Sequence, residues 1–260
     1  MLTYREHYEL SIKNYGTGYC PLTENIDDLV RDLYDFTAYE CQTNQENPFL
    51  SFNKKYFDCI ERLSKLSNVN FSEENIQEKC WFPYGEKDNN NYSDKMLRMK
   101  DVWLEDVNNL ASFIVPQIEQ KLFKSNNIID GVYWYRTVYK DKIDQSSFLW
   151  HYDNHCLERI KIMFYLNDVN EEEGPFTYMW SEKEKKGLPC PTSRIDYLKW
   201  KKKDSRYSDE FIKKSVPDGY EAKQFLGNAG SFAIFDNNIM HRATNPKPNH
   251  HRDAIVFMLR

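Results

Sequence analysis

Glycine and proline are scarce, nine and ten among 260 residues. That excludes a collagen-like repeat and argues against a linker or a disordered chain. Long apolar runs are missing as well. No window approaches the ~18 to 20 apolar residues of a membrane span, so the expectation is a soluble protein with no membrane partner. The first residues, MLTYREHYELSIKNYG, lack the apolar stretch of a secretory leader. An excess of positive charge is also absent. Lys+Arg number 35 against 40 Asp+Glu, a net of -5, which excludes a uniformly basic nucleic-acid binder. The six cysteines, Cys20, Cys41, Cys59, Cys80, Cys156 and Cys190, are widely spread and form no C-x-x-C pair. That spacing suits neither a zinc ribbon nor a compact disulfide scaffold, and it favours reduced thiols in a cytoplasmic protein. In such a protein the glycosylation-like triplets at Asn70 and Asn91 are chance matches.

What the chain has in quantity is aromatic residues: 16 Phe, 18 Tyr and 6 Trp, or 15% of the total. Rings bury large area per residue, so a polar chain can still build a core, and they favour strands. Residues 1–126 read as mostly helical. Apolar residues recur at i, i+3, i+4 and i+7 spacing over 27–40, over 54–66, and over 94–124, where Pro116 is expected to kink or split the helix. From 127 the character changes. The runs 131–139, 147–153, 158–166, 174–180, 230–236 and 254–259 are short, β-branched and aromatic, with turn clusters between them. Six or more short strands in ~130 residues predict a sandwich or barrel with helices packed outside it. The whole reads as a single domain.

The strands are interrupted by a polar stretch, 181–223. It carries 12 Lys/Arg against 8 Asp/Glu, a net of +4 that leaves -9 on the rest of the chain. This predicts a solvated surface insertion, with a lid near a binding site as the sharper reading. Positive charge on a lid would favour an anionic small-molecule substrate.

The chemistry-bearing pattern is His151-Tyr152-Asp153. Residues two apart on a strand project to the same face, so one imidazole and one carboxylate are presented together. A lone H-x-D is common by chance. His241, far downstream, could complete a set of two histidines and one carboxylate, which leaves metal positions open and suits non-haem Fe(II). If 245–248 is a symmetric hairpin loop, His241 faces Arg252 across the hairpin. An Arg then shares the wall with the candidate ligand, its planar fork suited to a carboxylate. A zinc hydrolase is the weaker reading of these histidines, because no H-E-x-x-H helix is present. His250 and His251 read as surface or turn histidines, and Asp236 as turn chemistry.

With WHYD, IKIMFYLNDVNEEEGPFTYM, GNAGSFAIFDNNIMHRATNP and HHRDAIVFML in hand, roughly 131–260 resembles the phytanoyl-CoA dioxygenase-like branch of the Fe(II)/2-oxoglutarate-dependent oxygenases. The resemblance implies a mainly β fold with flanking helices, a double-stranded β-helix (jelly roll, cupin-like). It implies Fe(II) bound by His151, Asp153 and His241, 2-oxoglutarate held through its distal carboxylate by Arg252, and O₂ as oxidant. It implies oxidation of a small molecule, by hydroxylation, with 2-oxoglutarate converted to succinate. Halogenating relatives carry a small residue in place of the carboxylate ligand, and Asp153 stands here. Many relatives have a hydroxyl residue two after the distal His, where this chain has Ala243; Tyr135 and Trp180 are named as further 2-oxoglutarate contacts. The rival expectations are a non-catalytic jelly-roll binding protein and an iron oxygenase that does not use 2-oxoglutarate.

Overall fold

The structure, a computed structural model, describes residues 38–47, 50–70, 94–99, 105–120, 129–141, 143, 146–153, 160–188, 206–237 and 239–259. Two antiparallel sheets face each other. The first runs β1 (Ala38–Cys41), β10 (Phe232–Asp236), β5 (Ile160–Tyr165), β12 (His251–Leu259), β3 (Ile129–Val138) and β2 (Asp94–Met99). The second runs β7 (Lys186–Gly187), β6 (Phe176–Ser181), β11 (His241–Ala243), β4 (Trp150–His151) and β8 (Arg206–Tyr207), with β9 (Glu221–Phe225) also paired to β6. From β3 to β6 and from β9 to β12, consecutive strands alternate between the sheets, which is the winding of a jelly roll.

Period-two patterning explains the layers. On β5, Ile160, Ile162 and Phe164 face one core, while Met163 and Tyr165 face another. β10 and β12 divide the same way, Ile234, Ile255 and Phe257 against Ala233, Phe235, Ala254 and Val256. The first set packs under two helices, α1 (Lys54–Asn70) and α2 (Glu105–Ile118). The second set fills the space between the sheets. Burial on both faces is why β12 reads as an apolar run from Ala254 to Leu259. α1 inserts Tyr56, Cys59, Ile60 and Leu63, and α2 inserts Val107, Leu110, Ala111, Ile114 and Ile118. Of the cysteines, Cys41 and Cys59 are described. Both are buried free thiols, and burial raises the Cys41 thiol to about 12 and the Cys59 thiol to about 11.

Three predicted elements differ. Residues 94–99 form a strand, not a helix, because β3 offers them a full antiparallel register from Asp94↔Thr137 to Met99↔Val132. Pairing with a sheet edge here overrides a weak helical period. α2 starts at Glu105 and runs past Pro116, which sits in its last turn, so the helix is not split there. Of the helix predicted over 27–40, residues 38–40 belong to β1, paired to β10, and the remainder lies outside the described residues.

The described parts of 181–223, residues 181–188 and 206–223, are not an appendage. β9 adds five residues to the second sheet beside β6, and β8 pairs with β4. Between them α3 (Asp209–Ser215), capped by Ser208 Oγ accepting from Phe211 N–H at 3.2 Å, covers the outer face of that sheet. There Ile212 packs with Trp150, Tyr152, Met179 and Met240. Asp209 accepts from both Trp150 Nε1 (2.7 Å) and Arg242 Nη1 (2.6 Å). The Lys201–Lys203 run lies outside the described residues.

One polar link ties the helices to the sheet. Arg136 grips Asp253 with two bonds of 2.6 Å, and Ser67 Oγ of α1 donates to the same carboxylate at 2.7 Å. The Asp253 side chain is 3% exposed. Truncating one partner of such a pair strands a buried charge. Arg136→Ala is therefore expected to lower unfolding free energy by ~3 kcal/mol, and adding Asp253→Leu to recover part of that loss. Urea unfolding of the single and double variants measures both.

Candidate metal centre

β11 lies directly between β4 and β6, and its first residue pairs with both. His241 is the cross-strand partner of His151 on one side and of Tyr178 on the other. Directly opposed residues project to the same face, so two imidazoles 90 positions apart in sequence stand side by side, ring centroids 4.3 Å apart. Asp153 follows two residues after His151. It is held by its own backbone N–H, which donates to Asn237 O at 3.0 Å, in the turn that leads to β11. The three side chains form one cluster whose ligand atoms lie within 4.8 Å of one another. His241 Nε2 is 3.4 Å from Asp153 Oδ2, and His151 Nε2 is 3.8 Å from Asp153 Oδ1.

Each imidazole is oriented identically. His151 Nδ1 lies 2.8 Å from Leu149 O, and His241 Nδ1 lies 2.8 Å from Ile239 O. A carbonyl only accepts, so each Nδ1 carries a proton and each Nε2 is the ring atom turned to the cluster. Burial, together with the neighbouring His241, holds His151 well below the usual histidine range, which keeps it neutral and able to ligate. Burial acts to raise the Asp153 carboxyl. The Lys161 ammonium and the two imidazoles outweigh it, and Asp153 stays ionised, well below the usual carboxylate range. Two imidazole nitrogens and one carboxylate on one side of a point suit a divalent ion with open positions. Phe176 and Phe235 lie 5.6 and 5.5 Å from the His241 ring and keep the interior wall apolar.

Arg252 is not where a hairpin would place it. β11 and β12 belong to different sheets, and the partner of Arg252 is Thr137 of β3. The connecting segment crosses between the sheets instead of folding back in register, so Arg252 looks at the interior from the opposite wall. It is 2% exposed, two residues before Ala254 on the inward face of β12. Its Nη1 donates to Gly174 O at 2.9 Å and its Nη2 to Thr137 Oγ1 at 3.2 Å, which fixes the guanidinium plane. Gly174 has φ 74°, and a Cβ there would meet Thr244 O at 2.5 Å and Pro246 N at 2.7 Å. Only glycine lets the chain pass so close under the crossing segment while turning its carbonyl to Arg252.

Tyr135 lies beside Arg252, with the guanidinium 5.9 Å from its ring centroid. Trp180 lies far along β6, six residues beyond Gly174, where it meets Tyr178 edge-on and Lys223 stands 5.9 Å over its ring. Ala243 faces inward two residues after His241 and offers no hydroxyl. His250 pairs with Glu173 at 2.8 Å, and His251 lies 3.8 Å from Asp253; neither approaches the cluster. Asp236 is fully buried at the end of β10, and its carbonyl accepts from Ile239 N–H in the turn before His241.

Two site residues escape a motif reading. Lys161 Nζ bonds Asp153 Oδ2 at 2.5 Å, and Arg206 is the cross-strand partner of His151 on the side away from β11. Strand alternation on β5 carries a signal for Lys161, since it shares a face with the inward Met163 and Tyr165. For Arg206 there is none, because the two-residue β8 has no pattern to read.

No family model matches the chain, and no curated protein matches it. Solved structures match its jelly-roll fold, among them one described as a non-heme alpha ketoglutarate dependent epimerase. Among them is the epimerase SnoN in complex with Fe3+, alpha ketoglutarate and nogalamycin RO, with 12% identity, coverage of 91% of this chain and 84% of that one, and a TM-score of 0.56. AviO1 from Streptomyces viridochromogenes Tue57 has 10% identity, coverage of 92% and 96%, and a TM-score of 0.54. EctD from S. alaskensis in its apoform has 12% identity, coverage of 94% and 79%, and a TM-score of 0.51. At such identity the likeness is one of fold. No described helix is long and apolar enough to cross a membrane.

Proposed function

We propose that the chain is one oxygenase domain that uses Fe(II), 2-oxoglutarate and O₂ to oxidise a small molecule. The expected outcome is hydroxylation, in the manner of the phytanoyl-CoA dioxygenase-like branch. The observation that carries this reading is the convergence of His151, Asp153 and His241 at the rim of a jelly roll, both Nε2 atoms directed at the carboxylate. The donor set fits the group: two imidazoles and one carboxylate, the combination that leaves half of an octahedron open. That SnoN is described with Fe3+ and alpha ketoglutarate on the same fold supports it.

Bound there, the metal and co-substrate would supply the oxidising chemistry, and the protein supplies orientation and exclusion of water. His151 and His241 would ligate through Nε2, and Asp153 through one oxygen while Lys161 pairs with the other. Arg252, buried and held flat by Gly174 and Thr137, would take the distal carboxylate of 2-oxoglutarate from the facing wall. Phe176 and Phe235 keep water from the ligand side of His241.

The test is to supply Fe(II), ascorbate and 2-oxoglutarate and follow succinate, with a 2-oxoglutarate-dependent absorbance band sought anaerobically. Succinate release and the band are expected. Neither appearing would leave the non-catalytic binding protein, and metal binding without the band would favour an iron oxygenase that does not use 2-oxoglutarate. SnoN is an epimerase, so the fold admits outcomes besides hydroxylation, and product analysis decides between them.

A further inference from the structure

On the inward face of β5, Lys161 precedes Met163 and Tyr165. Its cross-strand partners are Phe235 of β10 and Met258 of β12, so the three side chains share that face. Phe235 is 1% exposed and Met258 5%, and the aliphatic stem of Lys161 is flanked by two buried apolar side chains. Neither flank can take its charge. The ammonium instead crosses the space between the sheets and donates to Asp153 Oδ2, both side chains being 18% exposed. A strand of the first sheet thereby reaches a candidate ligand that follows β4 of the second.

The contact makes the two carboxylate oxygens unequal. Oδ2 bears the ammonium and Oδ1 does not. The histidines meet the carboxylate on both oxygens, His241 Nε2 at 3.4 Å from Oδ2 and His151 Nε2 at 3.8 Å from Oδ1. Nothing in the backbone therefore decides how many oxygens an ion would receive. A carboxylate ligates through one oxygen or through both. Ligation through both would hold the ion more firmly, yet it would fill one more position around it. Two imidazoles and a chelating carboxylate leave two places of an octahedron, which a bidentate co-substrate would use up, with none left for O₂.

We infer that, on the oxygenase reading above, Lys161 is a positioning residue that confines Asp153 to ligation through a single oxygen and so keeps the third position open, while lowering the affinity for the metal. Two effects lower that affinity. The second oxygen is withheld, and a like charge stands beside the ion. Lys161 thus acts on the two binding steps with opposite signs: it opposes the metal and favours 2-oxoglutarate. A residue that merely supported the fold of the centre would move both constants the same way.

The test uses the full chain and two binding constants. Co(II) is titrated anaerobically against a competing chelator. 2-Oxoglutarate is titrated into protein saturated with Fe(II), the absorbance band being the reporter. Lys161→Met is expected to bind Co(II) about tenfold more tightly, since a like charge beside the ion is gone. The same variant is expected to bind 2-oxoglutarate about tenfold more weakly, the lower end of what losing the partner of a metal ligand does. Lys161→Arg keeps the charge and the donors and should return both constants toward the parent values. Weaker or unchanged Co(II) binding in Lys161→Met overturns the inference, as does an unchanged or tighter 2-oxoglutarate constant. So does a Lys161→Arg variant that behaves as Lys161→Met. If Lys161→Met does not fold, Lys161→Gln, also uncharged, carries the same comparison. A parent protein that binds Co(II) but forms no band defeats the oxygenase reading and the co-substrate half of this inference; the Co(II) constants still decide the metal half.

Discussion

Asp153→Ala is expected to abolish 2-oxoglutarate turnover, with succinate release falling by more than the roughly 10–100-fold typical of losing an outer-shell partner of a metal ligand. The cluster offers three ligand atoms, and Asp153 supplies the only negative charge among them. Without it, two imidazoles remain beside the Lys161 ammonium, which has lost its carboxylate partner, an environment that disfavours a divalent ion. The loss has a readout independent of turnover. A metal present at ~100 times its dissociation constant stabilises the folded state by ~2.7 kcal/mol. In a chain of this size that raises the midpoint of thermal unfolding by about 5–10 °C. Co(II) or Ni(II) should produce such a rise in the parent protein and none in Asp153→Ala. A variant that still shows the full shift would place the metal elsewhere.

Arg252→Ala should raise the KM for 2-oxoglutarate by about 10² or more, with a smaller change in kcat at saturation. Removing one partner of a buried, hydrogen-bonded charge pair costs ~2–5 kcal/mol, and each 1.4 kcal/mol is tenfold. The change also leaves Gly174 O and Thr137 Oγ1 without their donor, so a melting curve is needed beside the kinetics. Arg252→Lys separates the two effects. It keeps the charge but cannot serve both positions of a planar fork, and an intermediate KM is expected. A KM unchanged in both variants would detach Arg252 from the co-substrate. The metal-induced thermal shift should survive in either, because Arg252 reaches the interior from β12 and touches none of the three ligands.

The local features of the site are legible along the chain. Alternation in ERIKIMFYL, GSFAIFD and AIVFML marks strands, and two-residue spacing puts His151 and Asp153 on one side. The i, i+3, i+4, i+7 stripe of Tyr56, Cys59, Ile60 and Leu63 marks α1. These follow from neighbours in sequence, whose relative directions the backbone period sets. Failures came where a distant partner supplied the backbone bonds. Residues 94–99 have a helix-like spacing, yet β3 pairs with them. β9 looks like part of a solvated insertion, yet it completes the second sheet.

The sequence by itself therefore determined that this is a strand-rich domain carrying an H-x-D pair, a distant histidine and an arginine of the right types for a metal and a dicarboxylate. Only the tertiary structure decided how they meet. It set His241 beside His151 as a ladder partner, moved Arg252 from the expected hairpin to the opposite sheet, and brought Lys161 and Arg206 to the same centre. The physical reason is that register between segments far apart in sequence is chosen by which faces must be buried together. Over β3–β6 and β9–β12 the chain crosses between the sheets at each connection, so sequence neighbours face each other across the core, and residues 90 apart become neighbours in the ladder.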